Sequence, residues 1–415
     1  MNYTFDRPKL SGRIRAISSK SEAHRQLICA ALADGETEIV CSDTNLDIDA
    51  TAGCLRSLGA DIERENGSFC VRPIYAVKGQ ALLDCGESGS TLRFIITVAA
   101  ALGADGKIKM HGRLPSRPLS PLYELLCENG AVLSPVGENP FYVGGKLKCG
   151  DFFIRADVSS QFISGLLFAL PLLEGKSSLT LTGKAESLHY IDMTLDALRL
   201  FGAGISKKGD TFYINPIKKF KSPGRTYVGG DWSNAAFFLC AGAMGKSPLT
   251  VYGLDPASAQ GDKKILDILT LMGADVRIKD NEITVSRNRL RGIEVDASQI
   301  PDLFTVIVTV ASVCEGKTVI YNAGRLRLKE SDRIESVCRM LTDLGGKISP
   351  TGDGMIIEGV PELSGGTVDS FNDHRIAMSA AVASLVSLGK VTVTGMEAVN
   401  KSYPSFIADF NSLRV

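Results

Sequence analysis

The chain has 415 residues, with 46 Lys and Arg against 46 Asp and Glu and a formal net charge of zero. That balance excludes a protein whose work is to coat nucleic acid or an anionic membrane, since either needs an excess of cations; a local basic cleft is still allowed. The length leaves room for two or three domains with sizeable cores, and no apolar run approaches the roughly 18 residues of a membrane span.

Residues 1–10 carry charges and no apolar signal segment. Ten cysteines form no C-x-x-C pair, and Cys29, Cys240 and Cys314 sit inside apolar segments. They read as buried free thiols of a cytoplasmic protein. His24, His111, His189 and His374 are far apart and show no zinc spacing. His24 reads as a surface or packing residue.

In chain order, the first helix is predicted to open at Ser19, where Ser19 and Glu22 fit a capping box. A strand follows Gly35, and a second helix runs from near Asp47 to Gly59. A strand, the hairpin turn Glu65-Asn66-Gly67 and another strand complete the unit. The next unit opens a helix at Gly89, a strand after Gly106 and a second helix near Arg117, closed by Gly130. The third uses Ser159, Gly175, Ser187 and Gly202, with a turn at Lys208-Gly209-Asp210. The segment from Lys218 to Gly230 has the most linker-like composition in the chain. Beyond it, the fourth unit uses Asp231, Gly245, Ser258 and Gly273. The fifth uses Asp302, Gly316, Lys329 and Gly345, and the sixth Asn372, Gly389 and Lys401. Equivalent points recur about every 70 residues, the mark of a repeat architecture. Residues 406–415 read as the sixth unit's last helix. The N-terminal residues are predicted to supply its missing strand. The linker favours two domains of three units each, residues 19–229 and residues 1–18 with 230–415.

The unusual residues gather at the helix openings. A helix N-terminus presents unpaired N–H groups and a positive dipole end, and so attracts anions. Lys20, Arg25, Arg117, Lys329, Arg333, Arg375 and Lys401 add cations at or near these openings. A dipole disfavours Lys20 at a helix start, so capping does not explain it. If the helices run roughly parallel, N–H groups and cations converge on one face that binds phosphates and carboxylates.

The combined set resembles the 5-enolpyruvylshikimate-3-phosphate synthase family of enolpyruvyl transferases. The resemblance spans nearly the whole chain. It is carried by Ser19-Lys20-Ser21 with Arg25, Gly89-Ser90 with Arg93, Leu114-Pro115-Ser116-Arg117-Pro118, Ser159-Ser160-Gln161, and Ser187 with Tyr190-Ile191-Asp192. The later marks are Ile300-Pro301-Asp302, Leu328 to Arg333, Asn372-Asp373-His374-Arg375 and Lys401. It implies an α/β fold: a two-domain inside-out α/β barrel of six repeats, three per domain, closing over the substrates.

The implied substrates are phosphoenolpyruvate and shikimate 3-phosphate, with no metal, no organic cofactor, no nucleic acid, no membrane and a monomer. Phosphoenolpyruvate would be held by Lys20, Gly89, Arg117, Gln161, Arg333, Arg375 and Lys401. Shikimate 3-phosphate would be held by Lys20, Ser21, Arg25, Ser159, Ser160, Gln161, Ser187, Tyr190, Asp302 and Lys329. Arginine's planar fork suits carboxylate and phosphate. The implied acid is Glu330, which needs burial in the closed state to raise its pKa, and the implied base is Asp302, with Lys20 stabilising or sharing proton transfer. Glu87, Ser90, Phe94 and Arg325 depart from the common pattern. Gly89 is kept, so room for the inhibitor glyphosate is expected. The sister transferase acting on UDP-N-acetylglucosamine typically has a Lys-Asn pair and a loop Cys. Here Ser21 follows Lys20, and Leu114 to Pro118 holds no Cys. A catalytically dead scaffold that binds phosphorylated ligands would not need Asp302, Glu330 and Lys20.

Overall fold

The computed structural model describes residues 1–415. The chain divides into two compact units, residues 18–228 and residues 1–17 with 229–415. Twelve α-helices alternate with short strands. They are α1 (Lys20–Ala31), α2 (Leu46–Leu58), α3 (Gly89–Leu102), α4 (Leu122–Glu128), α5 (Ser160–Ala169) and α6 (Leu188–Leu200) in one unit. The other has α7 (Trp232–Met244), α8 (Ile265–Met272), α9 (Phe304–Ala311), α10 (Arg333–Asp343), α11 (His374–Ala383) and α12 (Phe406–Ser412). No helix is long and apolar enough to cross a membrane.

The odd-numbered helices are buried nearly all round, which explains their uniformly apolar interiors. α3 packs on α5, and α7, α9 and α11 pack on one another. The even-numbered helices bury one stripe. In α10 the stripe is Ile334, Val337, Met340 and Leu341, at helical spacing. Gly103 ends α3 with φ of 66°, a left-handed backbone that glycine adopts without strain.

Six small open sheets cover these helices, three in each unit, and none closes into a barrel. Strands 81–84 and 151–155 alternate buried and exposed residues, as half-buried strands do. The sheets correct the predicted unit. Each of the six sheets has an extra short strand that pairs in parallel with the strand after the first helix. Thus 81–84 pairs with 106–109, and 151–155 with 177–182. Two leading strands are exchanged along the sequence. Residues 225–227 lead the sheet of 37–40, and residues 12–15 lead the sheet of 249–252. Tyr3–Phe5 pairs antiparallel with 391–393, completing the sixth sheet from the N-terminus.

The second helices also differ from the sequence reading. α2 and α6 open as predicted, but 3-10 turns at 114–116, 261–264, 324–328 and 396–401 precede the other four. Arg117, Ser258, Lys329 and Lys401 therefore lie on turns ahead of their helices. Pro118 drives Arg117 to an extended ψ of 141°, which ends the turn.

Candidate active site

In residues 18–228 the candidate side chains meet at helix N-terminal turns. Ser19 caps α1 by accepting from the Glu22 N–H. Lys20 Nζ lies 2.8 Å from Asp47 Oδ2 at the start of α2, with both side chains less than one-fifth exposed. Asp47 is the compensation that a lysine at a helix start requires. Arg25 is buried and donates to Thr194 Oγ1 at 2.9 Å, to the Ser21 carbonyl at 2.7 Å and to the Tyr190 carbonyl at 2.9 Å. Its guanidinium also stacks 5.4 Å above Phe94. Burial lowers its pKa to about 10, so it stays charged at neutral pH.

Gly89 opens α3 against two guanidinium groups. A Cβ there would lie 2.7 Å from both Arg117 Nη1 and Arg93 Nη1. The space that glycine leaves is thus filled by arginine. Arg93 is fixed by the Gly89 and Pro118 carbonyls at 3.1 and 2.8 Å. Gln161 Nε2 donates to Ser90 Oγ at 2.9 Å, beside Gly89. Ser159 caps α5, and Ser160 is its first residue. Ser187 precedes α6 at φ 54°, a left-handed backbone that costs a serine energy and is found where position matters.

In residues 229–415 the centre is Arg333, whose side chain is 2% exposed. Its Nη1 lies 2.9 Å from Asp302 Oδ1, its Nη2 2.8 Å from Glu330 Oε2 and its Nε 2.9 Å from Asp373 Oδ2. Burial acts against its charge, but Asp373, Glu330 and Asp302 outweigh it and raise the pKa. Arg375 Nη1 donates to the Asp302 carbonyl at 2.9 Å, and its Nε lies 3.2 Å from Asp302 Oδ1. Asp302 is therefore held between two arginines. Lys401 Nζ donates to the Asn372 carbonyl at 2.6 Å, at the approach to α11.

Lys329 is the tuned group of this set. Burial pushes it down to about 7; Asp302 opposes the shift, and Arg325 and Arg333 add to it. The Glu330 side chain is 19% exposed and pairs with Arg333 at 2.8 Å.

These features fall within a match to a known family. The family model described as EPSP synthase (3-phosphoshikimate 1-carboxyvinyltransferase) covers residues 6–410. The chain belongs to the EPSP synthase family. The 3-phosphoshikimate 1-carboxyvinyltransferase of Clostridium kluyveri is 41% identical over 418 residues, spanning 100% of this chain and 97% of the relative. That of Clostridium beijerinckii is 42% identical over 417 residues, spanning 98% and 95%. The solved EPSP synthase of Acinetobacter baumannii superposes with a TM-score of 0.82 at 27% identity, covering 100% of this chain and 98% of that one. The enolpyruvyl transferase NikO from Streptomyces tendae shares the fold, with a TM-score of 0.80 at 18% identity, covering 99% and 97%.

Three carboxylates of this EPSP synthase family chain escape a reading by motif role. Asp47 holds Lys20. Asp373 is fully buried, caps α11 through the Arg375 N–H and accepts from Ser331 Oγ at 3.1 Å as well as from Arg333. The run Asn372-Asp373-His374-Arg375 marks its position but not its partner. Asp262 is buried and accepts from Ser233 Oγ. Burial, then Asp302, push it up to about 7 against the pull of Arg375. Nothing in Gly261-Asp262-Lys263 signals that environment.

Proposed function

We propose that the chain transfers the enolpyruvyl group of phosphoenolpyruvate to the 5-hydroxyl of shikimate 3-phosphate and releases phosphate, on the route to chorismate and the aromatic amino acids. The observation that carries the reading is Arg333 ringed by Asp302, Glu330 and Asp373, within a full-length match to the EPSP synthase family. Both substrates are anions, and the cations at the helix openings are suited to hold them.

Lys20, Gly89, Arg117, Gln161, Arg333, Arg375 and Lys401 serve phosphoenolpyruvate. Ser21, Arg25, Ser159, Ser160, Ser187, Tyr190 and Lys329 serve shikimate 3-phosphate, together with Lys20, Gln161 and Asp302. Asp302 accepts the proton of the 5-hydroxyl as its oxygen bonds to C2 of phosphoenolpyruvate. Glu330 delivers a proton to the C3 methylene, giving a tetrahedral adduct. Loss of a proton from the new methyl group then expels phosphate from C2 and restores the double bond. A substrate carboxylate arriving at Arg333 competes with Glu330 for the guanidinium. That competition frees Glu330 to take up the proton it must deliver. Lys20 stabilises the charge that develops.

The finer architecture belongs to the same reading: an inside-out α/β barrel of six repeats, three in each of the domains 19–229 and 1–18 with 230–415. So do a cytoplasmic location and a monomer working without metal or organic cofactor. The deciding experiment measures phosphate release from phosphoenolpyruvate with shikimate 3-phosphate, beside Glu330→Gln and a UDP-N-acetylglucosamine control. Release with the shikimate ester alone, lost in the variant, is expected. No release with that ester would overturn the reading.

A further inference from the structure

A polar chain lies beneath the N-terminal turns of α1, α2 and α3, and the chemistry above makes no use of it. His24 is fully enclosed, which removes the surface reading of this residue. Its Nδ1 lies 2.7 Å from Thr51 Oγ1 on α2. Thr51 Oγ1 lies 2.7 Å from Thr91 Oγ1 on α3. The Thr91 hydroxyl reaches Ser88 Oγ at 2.8 Å, with the Asp47 carbonyl as a second acceptor at 3.3 Å. All four side chains are buried. Ser88 caps α3 immediately before Gly89, and Asp47 is the residue that holds Lys20.

The direction of donation follows from one orphaned atom. Each hydroxyl has a single proton. If Thr91 donated to Thr51, Thr51 would donate to His24 Nδ1, and the ring proton would sit on Nε2. That atom is buried without a partner. An unmet buried N–H costs more than an unmet lone pair. A charged ring would strand the same N–H, and burial, with Lys20 and Arg25 adding, holds the pKa well below its ordinary value. The ring is therefore the neutral Nδ1–H tautomer, and donation runs from His24 through Thr51 and Thr91. Ser88 Oγ then accepts twice, from the Thr91 hydroxyl and from the Thr91 N–H at 3.2 Å. Its own proton has no acceptor in the protein.

We propose that His24 is a positioning residue for enolpyruvyl transfer: its Nδ1–H orients a one-way hydroxyl chain that leaves Ser88 as a hydrogen-bond donor to the anion held at Gly89 and Arg117. The final step rests on the reading of Gly89 and Arg117 as the phosphoenolpyruvate site. The tautomer does not.

Two measurements test it on the full chain. Histidine-labelled ¹⁵N NMR, with His24→Gln to assign the signal, is expected to show an Nδ1–H ring that does not titrate between about pH 5.5 and 8.5. An Nε2–H ring, or one that titrates, overturns the direction of the chain whatever the activity of the protein. In kinetics, Thr51→Val keeps the shape and cuts the chain. The KM for phosphoenolpyruvate is expected to rise about tenfold, with kcat changed less than about twofold. Thr51→Ser, which keeps the hydroxyl, restores the KM. Ser88→Gly removes the last donor at little cost to the cap and should raise the KM similarly, even if Thr51→Val fails to fold. An unchanged KM in Ser88→Gly reduces the chain to packing and overturns the proposal.

Discussion

The two units steady their most buried arginines differently: in residues 18–228 a hydroxyl and backbone carbonyls hold Arg25, and in residues 229–415 carboxylates hold Arg333. Arg25 donates to the Thr194 hydroxyl and to the Ser21 and Tyr190 carbonyls. Arg333 is held by three acids. A neutral partner orients an arginine and leaves its charge for an incoming anion. An acidic partner spends that charge on itself until substrate competes for it. The first arrangement suits binding. The second couples binding to the movement of protons, because displacing an acid from an arginine changes its affinity for a proton. The difference teaches that the number of cations at a site says less than what each is already paired with.

The comparison breaks first at Arg333. Replacing it by Met removes the guanidinium shared by Asp302, Glu330 and Asp373; Asp302 keeps Arg375, but Asp373 is fully buried. Loss of one partner from a buried pair costs about 3–5 kcal/mol, so a fall in thermal stability should accompany loss of turnover by at least about 10⁴-fold. Full turnover in Arg333→Met would remove the distinction between the units. Next, Glu330→Gln keeps a hydrogen-bond acceptor for Arg333 but removes the carboxylate's charge and its capacity to carry a proton. Turnover should fall about 10²–10⁴-fold, with the KM of both substrates and the stability nearly unchanged. A rise in KM without loss of kcat would move Glu330 from chemistry to binding.

The repeat was legible because its punctuation is local. Gly59, Gly130, Gly202, Gly273 and Gly345 follow apolar helix ends, where a left-handed cap is needed, and all have positive φ. The leading strands were not legible, since segments such as 81–84 and 294–296 are too short to show a period. The exchange of 12–15 and 225–227 is a long-range pairing that no window of sequence contains. At the site, the cations stood out as residues that a helix start does not want. Their partners did not. Asp47, Asp373 and Asp262 gain their importance from a neighbour 27 to 40 residues away or more, and each alone reads as a cap or a surface acid. His24 is the same case: the sequence leaves surface and packing both open, and only its contacts with Thr51 and Phe94 say how it is used.

Gly89→Ala sharpens the binding side. The new Cβ would lie 2.9 Å from Arg117 Cζ, with the contacts to Nη1 closer still. Its near neighbours are the ends of flexible side chains, so the helix accommodates it, and alanine favours helix over glycine. The guanidiniums must move instead. The KM for phosphoenolpyruvate should rise roughly thirtyfold while the melting temperature holds or rises slightly. Equal loss of stability and affinity would mean that the glycine serves the backbone.

The smallest effect is a pH dependence, and it tests the acidic side without a large perturbation. Lys329 sits near pKa 7, because burial lowers it, Asp302 opposes that, and Arg325 and Arg333 lower it further. A lysine shifted down is charged below that pH and neutral above it. As pH rises through about 7, the free protein loses the cation proposed to meet the phosphate of shikimate 3-phosphate. That ester carries its second charge above about pH 6. The value of kcat/KM for the ester should therefore peak between these two pH values and fall up to about tenfold by pH 8. At saturating ester kcat should stay flat, since the bound phosphate raises the lysine's pKa again. Lys329→Arg keeps its charge throughout and should abolish the alkaline limb while leaving the acid limb in place. If the alkaline limb survives in Lys329→Arg, its origin lies with Asp262, the other group near 7, and Asp262→Asn should then remove it.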